Sequence, residues 1–249
     1  MLDQQTLAPP GTSAPSDNKQ ARDRLIVALD FPSGPQALAL VDRLEGACRW
    51  FKVGLELYFA AGGSIVETLR RRGHSVFLDL KFHDIPNTVA SAVRSVGPLG
   101  AELLTVHASG GPAMLMAAAE AAAGLASPPR LLAVTVLTSL DQAQLTAIGI
   151  GSSPADHALQ LAEMASANGI GGFVCSPEEA ANLRAALHSA VLVTPGIRPA
   201  GSSSGDQKRV ATPSAALAAG ADYLVVGRPI TQAINPAEAT QTILAQMTL

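Results

Sequence analysis

Cysteine is nearly absent from this sequence. Its 249 residues hold two, Cys48 and Cys175, which make neither a disulfide framework nor a zinc-binding spacing. That scarcity suits a reducing compartment, so a cytoplasmic location is expected. Charge is sparse as well: charged residues make up 15% and the formal net charge is −3. No basic surface therefore points to nucleic acid as a partner. No apolar run reaches the roughly 18 residues that cross a bilayer, so no membrane association is expected, and the first twenty or so positions lack the apolar stretch of a signal peptide. Residues 1–22 carry Pro, Ser, Gln and Thr in place of a periodic apolar pattern, and are expected to form a disordered extension. One domain is expected over 23–249.

Apolar residues are plentiful, at 48%, enough for a full core. Short β-rich runs recur at 25–29, 49–53, 75–80, 103–106, 131–137, 172–174, 191–194 and 223–226. Between them lie Ala- and Leu-rich segments with helical spacing, among them 36–44, 64–71, 89–96, 113–123, 155–167 and 177–187. Pairs such as Gly111-Pro112, Ser153-Pro154 and Ser176-Pro177 are helix openers. Strands alternating with helices imply a parallel sheet, and eight such pairs close a (β/α)₈ TIM barrel. An open doubly wound sheet would carry a Gly-rich turn after the first strand. Asp30-Phe31-Pro32-Ser33 stands there instead.

The C-terminal ends of the strand runs collect polar or special residues: Asp30, Lys52, Asp79 with Lys81, His107, Thr138, Thr194-Pro195-Gly196 and Gly227-Arg228. In barrels that face builds the active site. The densest stretch is Asp79-Leu80-Lys81-Phe82-His83-Asp84-Ile85-Pro86-Asn87-Thr88. Side chains alternate along a strand, so Phe77, Asp79 and Lys81 share one face while Val76, Leu78 and Leu80 share the other. The aliphatic set should face the helices, which puts Asp79 and Lys81 together inside the mouth. With Lys52 and Asp84 the group holds two ammonium and two carboxylate groups, and alternating charge keeps each ionised. A purely structural salt-bridge network is the competing reading. Such networks contribute weakly to stability when buried.

The run from Asp79 to Val89 resembles the signature of the orotidine 5′-phosphate decarboxylases, in which Asp-x-Lys-x-x-Asp carries the catalytic charges. The similarity extends to Val27-Ala28-Leu29-Asp30, Phe51-Lys52-Val53-Gly54, Thr105-Val106-His107-Ala108 and Val136-Leu137-Thr138-Ser139. Further on it takes in Thr194-Pro195-Gly196-Ile197-Arg198, Gly205-Asp206-Gln207-Lys208-Arg209 and Val226-Gly227-Arg228-Pro229-Ile230.

The resemblance implies a cofactor-free, metal-free conversion of orotidine 5′-phosphate to UMP, with Lys52, Asp79, Lys81 and Asp84 as the charged tetrad. It implies a homodimer in which Asp84 and Thr88 reach the partner's site. Asp30 is expected at the ribose, Thr138 at the pyrimidine, and Pro195 among the substrate-binding residues. Arg198 and Gln207, on a Gly- and Ser-rich loop over 196–209 that reads as a lid, are expected at the phosphate. Gly227 and Arg228 join them there, since barrels often hold phosphate after strands seven and eight.

His83 points opposite to Asp79 and Lys81 in a simple strand alternation and is left out of the site. A lone His107 at a strand end reads equally as structural or functional, and Cys175 reads as a packed cysteine. Three other functions stay open at this point. One is a metal-dependent sugar-phosphate decarboxylase or epimerase with the same Asp-x-Lys-x-x-Asp pattern. The others are a Schiff-base aldolase acting through Lys81 and a nucleotide-binding protein without chemistry.

Overall fold

The structure is a computed structural model, and it describes residues 15–44, 46–199 and 209–248. Eight parallel strands close into a barrel in sequence order, with the first paired to the last. They are β1 (Leu25–Ala28), β2 (Trp50–Gly54), β3 (Ser75–Phe82) and β4 (Leu103–His107), followed by β5 (Arg130–Val134), β6 (Gly172–Val174), β7 (Val191–Thr194) and β8 (Tyr223–Val226). The helices of the first half are α1 (Pro15–Arg24), α2 (Gly34–Arg43), α3 (Leu55–Ala61), α4 (Ser64–Arg71), α5 (Pro86–Val96) and α6 (Gly111–Ala123). The second half adds α7 (Gln142–Ala147), α8 (Pro154–Ala167), α9 (Pro177–Ala186), α10 (Pro213–Ala218), α11 (Arg228–Thr231) and α12 (Pro236–Met247).

Period-2 alternation builds two cores. Leu25, Val27, Val76, Leu78, Leu104, Leu192 and Leu224 point outward and join the helices in one large cluster. Ile26, Trp50, Phe77, Leu103, Leu132, Val193 and Val225 form a separate cluster inside the barrel. There Trp50 and Tyr223 meet edge to face at 5.3 Å. Large side chains thus fill the barrel below its mouth, leaving a packed interior and no pore.

Helix starts follow the local chemistry. Pro stands in the first turn of α5, α6, α8 and α9, where a missing N–H costs nothing. The Ser153 hydroxyl accepts from the Asp156 amide, and the Asn235 side-chain Oδ1 accepts from the Glu238 amide, satisfying donors a helix leaves open at its N-terminus.

At the N-terminus and at the end of β5 the structure departs from the sequence expectation. The extension expected to be disordered through residue 22 is helical from Pro15 onward. Its composition hides the helix because the stabilising contacts are few and long-range: Ala21 is buried in the outer core. Arg24 donates to the carbonyls of Asp222 (2.9 Å) and Ala221 (2.6 Å). Residues 1–14 lie outside the described residues. The fifth strand ends at Val134 rather than Leu137, so Thr138 belongs to the loop that follows. Val136 is apolar because it packs in the outer core, not because it pairs in the sheet.

Candidate active site

Strand register sets the layers of the mouth. Ala28 pairs with Lys52, Lys52 with Phe77, and Gly54 with Asp79. Lys52 therefore starts one layer below Asp79 and must reach up to it. At Gly54 a Cβ would lie 2.8 Å from Lys52 Nζ, so a larger residue there would make the ammonium shift. Lys52 Nζ donates to Asp30 Oδ1 at 2.9 Å and stands 3.7 Å from Asp79 Oδ2. Lys81 Nζ donates to the same Asp79 Oδ2 at 2.8 Å.

The backbone under Lys81 is irregular. The β3–β4 register shifts between Leu78 and Phe82, and Lys81 is the single non-glycine residue with positive φ, 51°, among the described residues. That left-handed conformation is disfavoured for a side chain with a Cβ, and such residues concentrate at functional sites. The Lys81 amide donates to Thr105 Oγ1 at 2.8 Å, and the Thr105 hydroxyl donates to Asp79 Oδ1 at 3.1 Å.

The result is a line of alternating charge, Asp30–Lys52–Asp79–Lys81. Side-chain exposure is 57% at Asp30, 13% at Lys52, 10% at Asp79 and 29% at Lys81. Burial alone would push the Asp79 carboxyl up. The Lys52 and Lys81 ammonium groups, with hydrogen bonds from Lys81 and Thr105, instead hold it below the ordinary carboxylate value. Burial would likewise lower Lys52, but Asp79 and Asp30 raise it above the usual lysine value. Both groups are therefore ionised at neutral pH, each held in its charged form by the other.

These charges line one wall of a cavity of about 520 Å³. Ala28, Phe77, Val134, Val174 and Val225 give it an apolar floor, and Thr138, Pro195, Arg198, Gly227 and Arg228 line the rest. Nine residues singled out in the sequence thus share one cavity: Asp30, Lys52, Asp79, Lys81, Thr138, Pro195, Arg198, Gly227 and Arg228.

Asp84 and Thr88 do not join them within the chain. Both are exposed, and an Asp84 carboxylate oxygen accepts from the Ile85 amide at 2.7 Å. The second carboxylate of the line is Asp30. Gln207 lies outside the described residues.

Of the segment expected as a lid, residues 200–208 lie outside the described residues; the residues flanking them pair with each other. The Arg198 amide donates to the Ala211 carbonyl (2.9 Å), and the Ala211 amide to Gly196 (3.2 Å). Arg198 itself is 8% exposed and donates to the Ile197 carbonyl.

Several residues escaped the sequence reading. Thr105, Gly54, Thr231 and Gln232 stand at the site or support it. Thr105 has a legible signal, a polar residue two places after Leu103 on an inward face. Arg209 and Glu179 form a buried ion pair; Arg209 also donates to Ser176 Oγ (3.2 Å) and to the carbonyls of Val136 (3.3 Å) and Leu137 (2.9 Å).

His107 is held below the usual histidine value, first by burial and then by His83 and Lys81 nearby, and its ring meets that of His83 at 5.4 Å. Neither ring lines the cavity. Cys175 lines it but is buried, and burial pushes its thiol up to about 12. Among the described residues, no group of three or more His, Cys, Asp or Glu is placed to hold a metal ion, and no helix is long and apolar enough to cross a membrane.

Comparison with known proteins places this geometry. A family model described as orotidine 5′-phosphate decarboxylase / HUMPS family matches residues 23–243. A protein of Halorhodospira halophila named orotidine 5′-phosphate decarboxylase is 53% identical over 225 residues, covering 90% of this chain and 95% of its own length. One of the same name from Nitrosococcus oceani is 52% identical over 227 residues, covering 91% and 98%. Among solved structures, an orotidine 5′-phosphate decarboxylase from Lactobacillus acidophilus superposes with a TM-score of 0.78 at 36% identity, covering 91% of this chain and 99% of that one. An uncharacterized conserved protein from Geobacillus kaustophilus superposes with a TM-score of 0.77 at 37% identity, over 90% and 99%.

Proposed function

This chain belongs to the orotidine 5′-phosphate decarboxylase / HUMPS family, and we propose from that premise how its barrel mouth works. The activity is that of a carboxy-lyase: orotidine 5′-phosphate loses CO₂ to give UMP, the last step of de novo pyrimidine nucleotide synthesis. The observation that carries the mechanism is the convergence of two ammonium groups on one carboxylate, Lys81 Nζ at 2.8 Å and Lys52 Nζ at 3.7 Å from Asp79 Oδ2, on the wall of a cavity sized for a nucleotide.

The pyrimidine seats its C6 carboxylate beside Asp79. When the C6–carboxylate bond breaks, its electron pair stays on C6 and CO₂ departs. Negative charge then moves from the carboxylate toward C6, next to the Lys81 ammonium. That preorganised cation stabilises the transition state more than the ground state. Repulsion between Asp79 and the bound carboxylate adds to the difference, because it fades as CO₂ leaves. Lys81 then gives its proton to C6 as general acid and recovers one from solvent. No metal or organic cofactor takes part.

Lys52 orients Asp79 and Lys81 through the charge line, and Asp30 takes a ribose hydroxyl. Thr138 and Pro195 border the base. Arg228, Arg198, Gln207 and the open backbone at Gly227 hold the phosphate, whose binding energy is remote from C6 and is used to assemble the reacting site.

The acting unit is a homodimer of the barrel domain over 23–249, placed in the cytoplasm. Asp84 and Thr88 reach across to the partner's site. Their exposure in the single chain, just past β3, supports that reading.

The first experiment mixes the purified protein with orotidine 5′-phosphate in excess EDTA and follows pyrimidine absorbance. Rapid conversion to UMP is expected; activity only after magnesium is added would overturn the metal-free mechanism. Sharing of Asp84 is tested by mixing inactive Lys81→Ala and Asp84→Asn proteins. Heterodimers then hold one intact site, so about a quarter of wild-type activity should return for a random mixture of dimers. No recovery after verified subunit exchange would place Asp84 in its own chain's site.

A further inference from the structure

We propose that Thr105 is a positioning residue for the decarboxylation, holding both the Asp79 carboxylate and the left-handed backbone of Lys81 through one hydroxyl. The inference rests on the decarboxylase reading of the site and goes beyond its charged groups.

Thr105 lies on β4, inward-facing, fully buried and beside the β3 bulge. A bulge breaks the ladder and leaves backbone groups without their usual partners. Here the orphan is the Lys81 amide, and its acceptor is a side chain, Thr105 Oγ1, at 2.8 Å. A hydroxyl that accepts there still has one proton to donate. It goes to Asp79 Oδ1 at 3.1 Å, so the two bonds have one consistent direction. Thr is β-branched and stiff at χ1, so the hydroxyl direction is set before any ligand arrives.

The consequence concerns which oxygen faces what. Asp79 Oδ1 is occupied by Thr105, and Oδ2 faces both lysines. Without the Thr105 bond the carboxylate can rotate about χ2 and present both oxygens to the ammonium groups, drawing Lys81 Nζ away from C6. Loss of the same hydroxyl also leaves the Lys81 amide unsatisfied in a conformation that needs support. One side chain thus fixes the proton donor at its backbone and its counter-ion at its side chain. That is the supporting shell a preorganised site requires.

The test compares wild type with Thr105→Val, which keeps shape and removes the hydroxyl, and Thr105→Ser, which keeps the hydroxyl. Thr105→Val should lower kcat about 10²-fold, the scale of one lost preorganising hydrogen bond. KM and UMP affinity should stay within about threefold, since Thr105 does not touch the cavity. Thr105→Ser should restore kcat to within about fivefold of wild type. Amide hydrogen exchange supplies a readout independent of turnover: Lys81 N–H should lose protection in Thr105→Val and keep it in Thr105→Ser.

Unchanged kcat and unchanged Lys81 protection in the valine variant would overturn the assignment. So would a loss that serine fails to rescue, which would mark a packing effect. Should valine not fold, Thr105→Ala removes the hydroxyl without adding bulk and carries the same expectations. Wild type that binds UMP yet never converts orotidine 5′-phosphate would sink the decarboxylase reading itself, a result separable from equal activity in wild type and Thr105→Val.

Discussion

Two clusters of paired charge in this molecule are finished differently. In the shell between the exit of β5 and α9, Glu179 and Arg209 are both buried and pair with each other, with only Arg209 Nε left without a partner among the described residues. Glu179 Oε2 accepts from the Ser176 amide at 2.8 Å, and Arg209 donates to Ser176 and to two backbone carbonyls. In the barrel mouth, Asp30, Lys52, Asp79 and Lys81 also pair, but all four line an open cavity. Neither residue of the first pair lines the cavity, and that pair serves the fold. The second is closed on one side only and opens on the cavity. Burial and pairing alone therefore do not mark a reactive site; an unfinished coordination shell facing a cavity does.

That contrast can be broken experimentally. Lys81→Ala should cost roughly 10⁴-fold or more in kcat, combining loss of the acid and of the cation beside C6. Its melting temperature should stay within a few degrees of wild type. Full activity in this variant would remove Lys81 from the reaction.

Arg209→Met should behave the other way. Stranding Glu179 in the shell should cost about 3–5 kcal/mol, read as a drop of roughly 10 °C in Tm for a chain of this size, with kcat per folded molecule largely kept. The double variant Arg209→Met/Glu179→Leu should recover much of that stability. A collapse of kcat with Tm unchanged would show that the two clusters are not different in kind.

Arg228→Ala should raise KM by about 10- to 100-fold, the scale of one charged hydrogen-bonding partner, and should leave turnover of the phosphate-free nucleoside unaffected. An unchanged KM would move the phosphate elsewhere.

A smaller effect follows from Asp79. Its folded pKa is depressed, so its contribution to stability is complete above the ordinary aspartate value of about 3.9 and is lost as pH falls through the lower folded value. Denaturant titrations between pH 6 and pH 3 should show a steeper loss in wild type than in Asp79→Asn; parallel curves would contradict the ion-pair account. Smallest is thiol reactivity: with both thiols pushed up to about 12 by burial, Cys48 and Cys175 should resist an aromatic disulfide reagent at pH 8 in the native protein and react on unfolding.

Much of this was legible in the residues. Alternation placed Phe77, Asp79 and Lys81 on one face, and the inner cluster that contains Phe77 and the cavity that holds Asp79 and Lys81 agree. The eight-strand count needed only short apolar runs between helical segments. The φ of 51° at Lys81 was not legible, because a bulge is a property of how β3 pairs with β4. Neither was the Arg209–Glu179 pair, whose partners stand 30 positions apart, nor α1, which is stabilised by contacts with the other end of the chain. Gly54 stood in view, but not how close a Cβ there would come to the Lys52 ammonium.

The apolar layer of Ile26, Trp50, Phe77, Leu103, Leu132, Val193 and Val225 has a further consequence for traffic. It makes the barrel a vessel with a sealed bottom, so under the mechanism proposed above substrate, departing gas, the water that would reprotonate Lys81 and the finished nucleotide all pass one rim. A compound seated across Arg198 and Arg228 is therefore a stopper as well as a competitor: it halts entry, exit and proton return with a single act of binding.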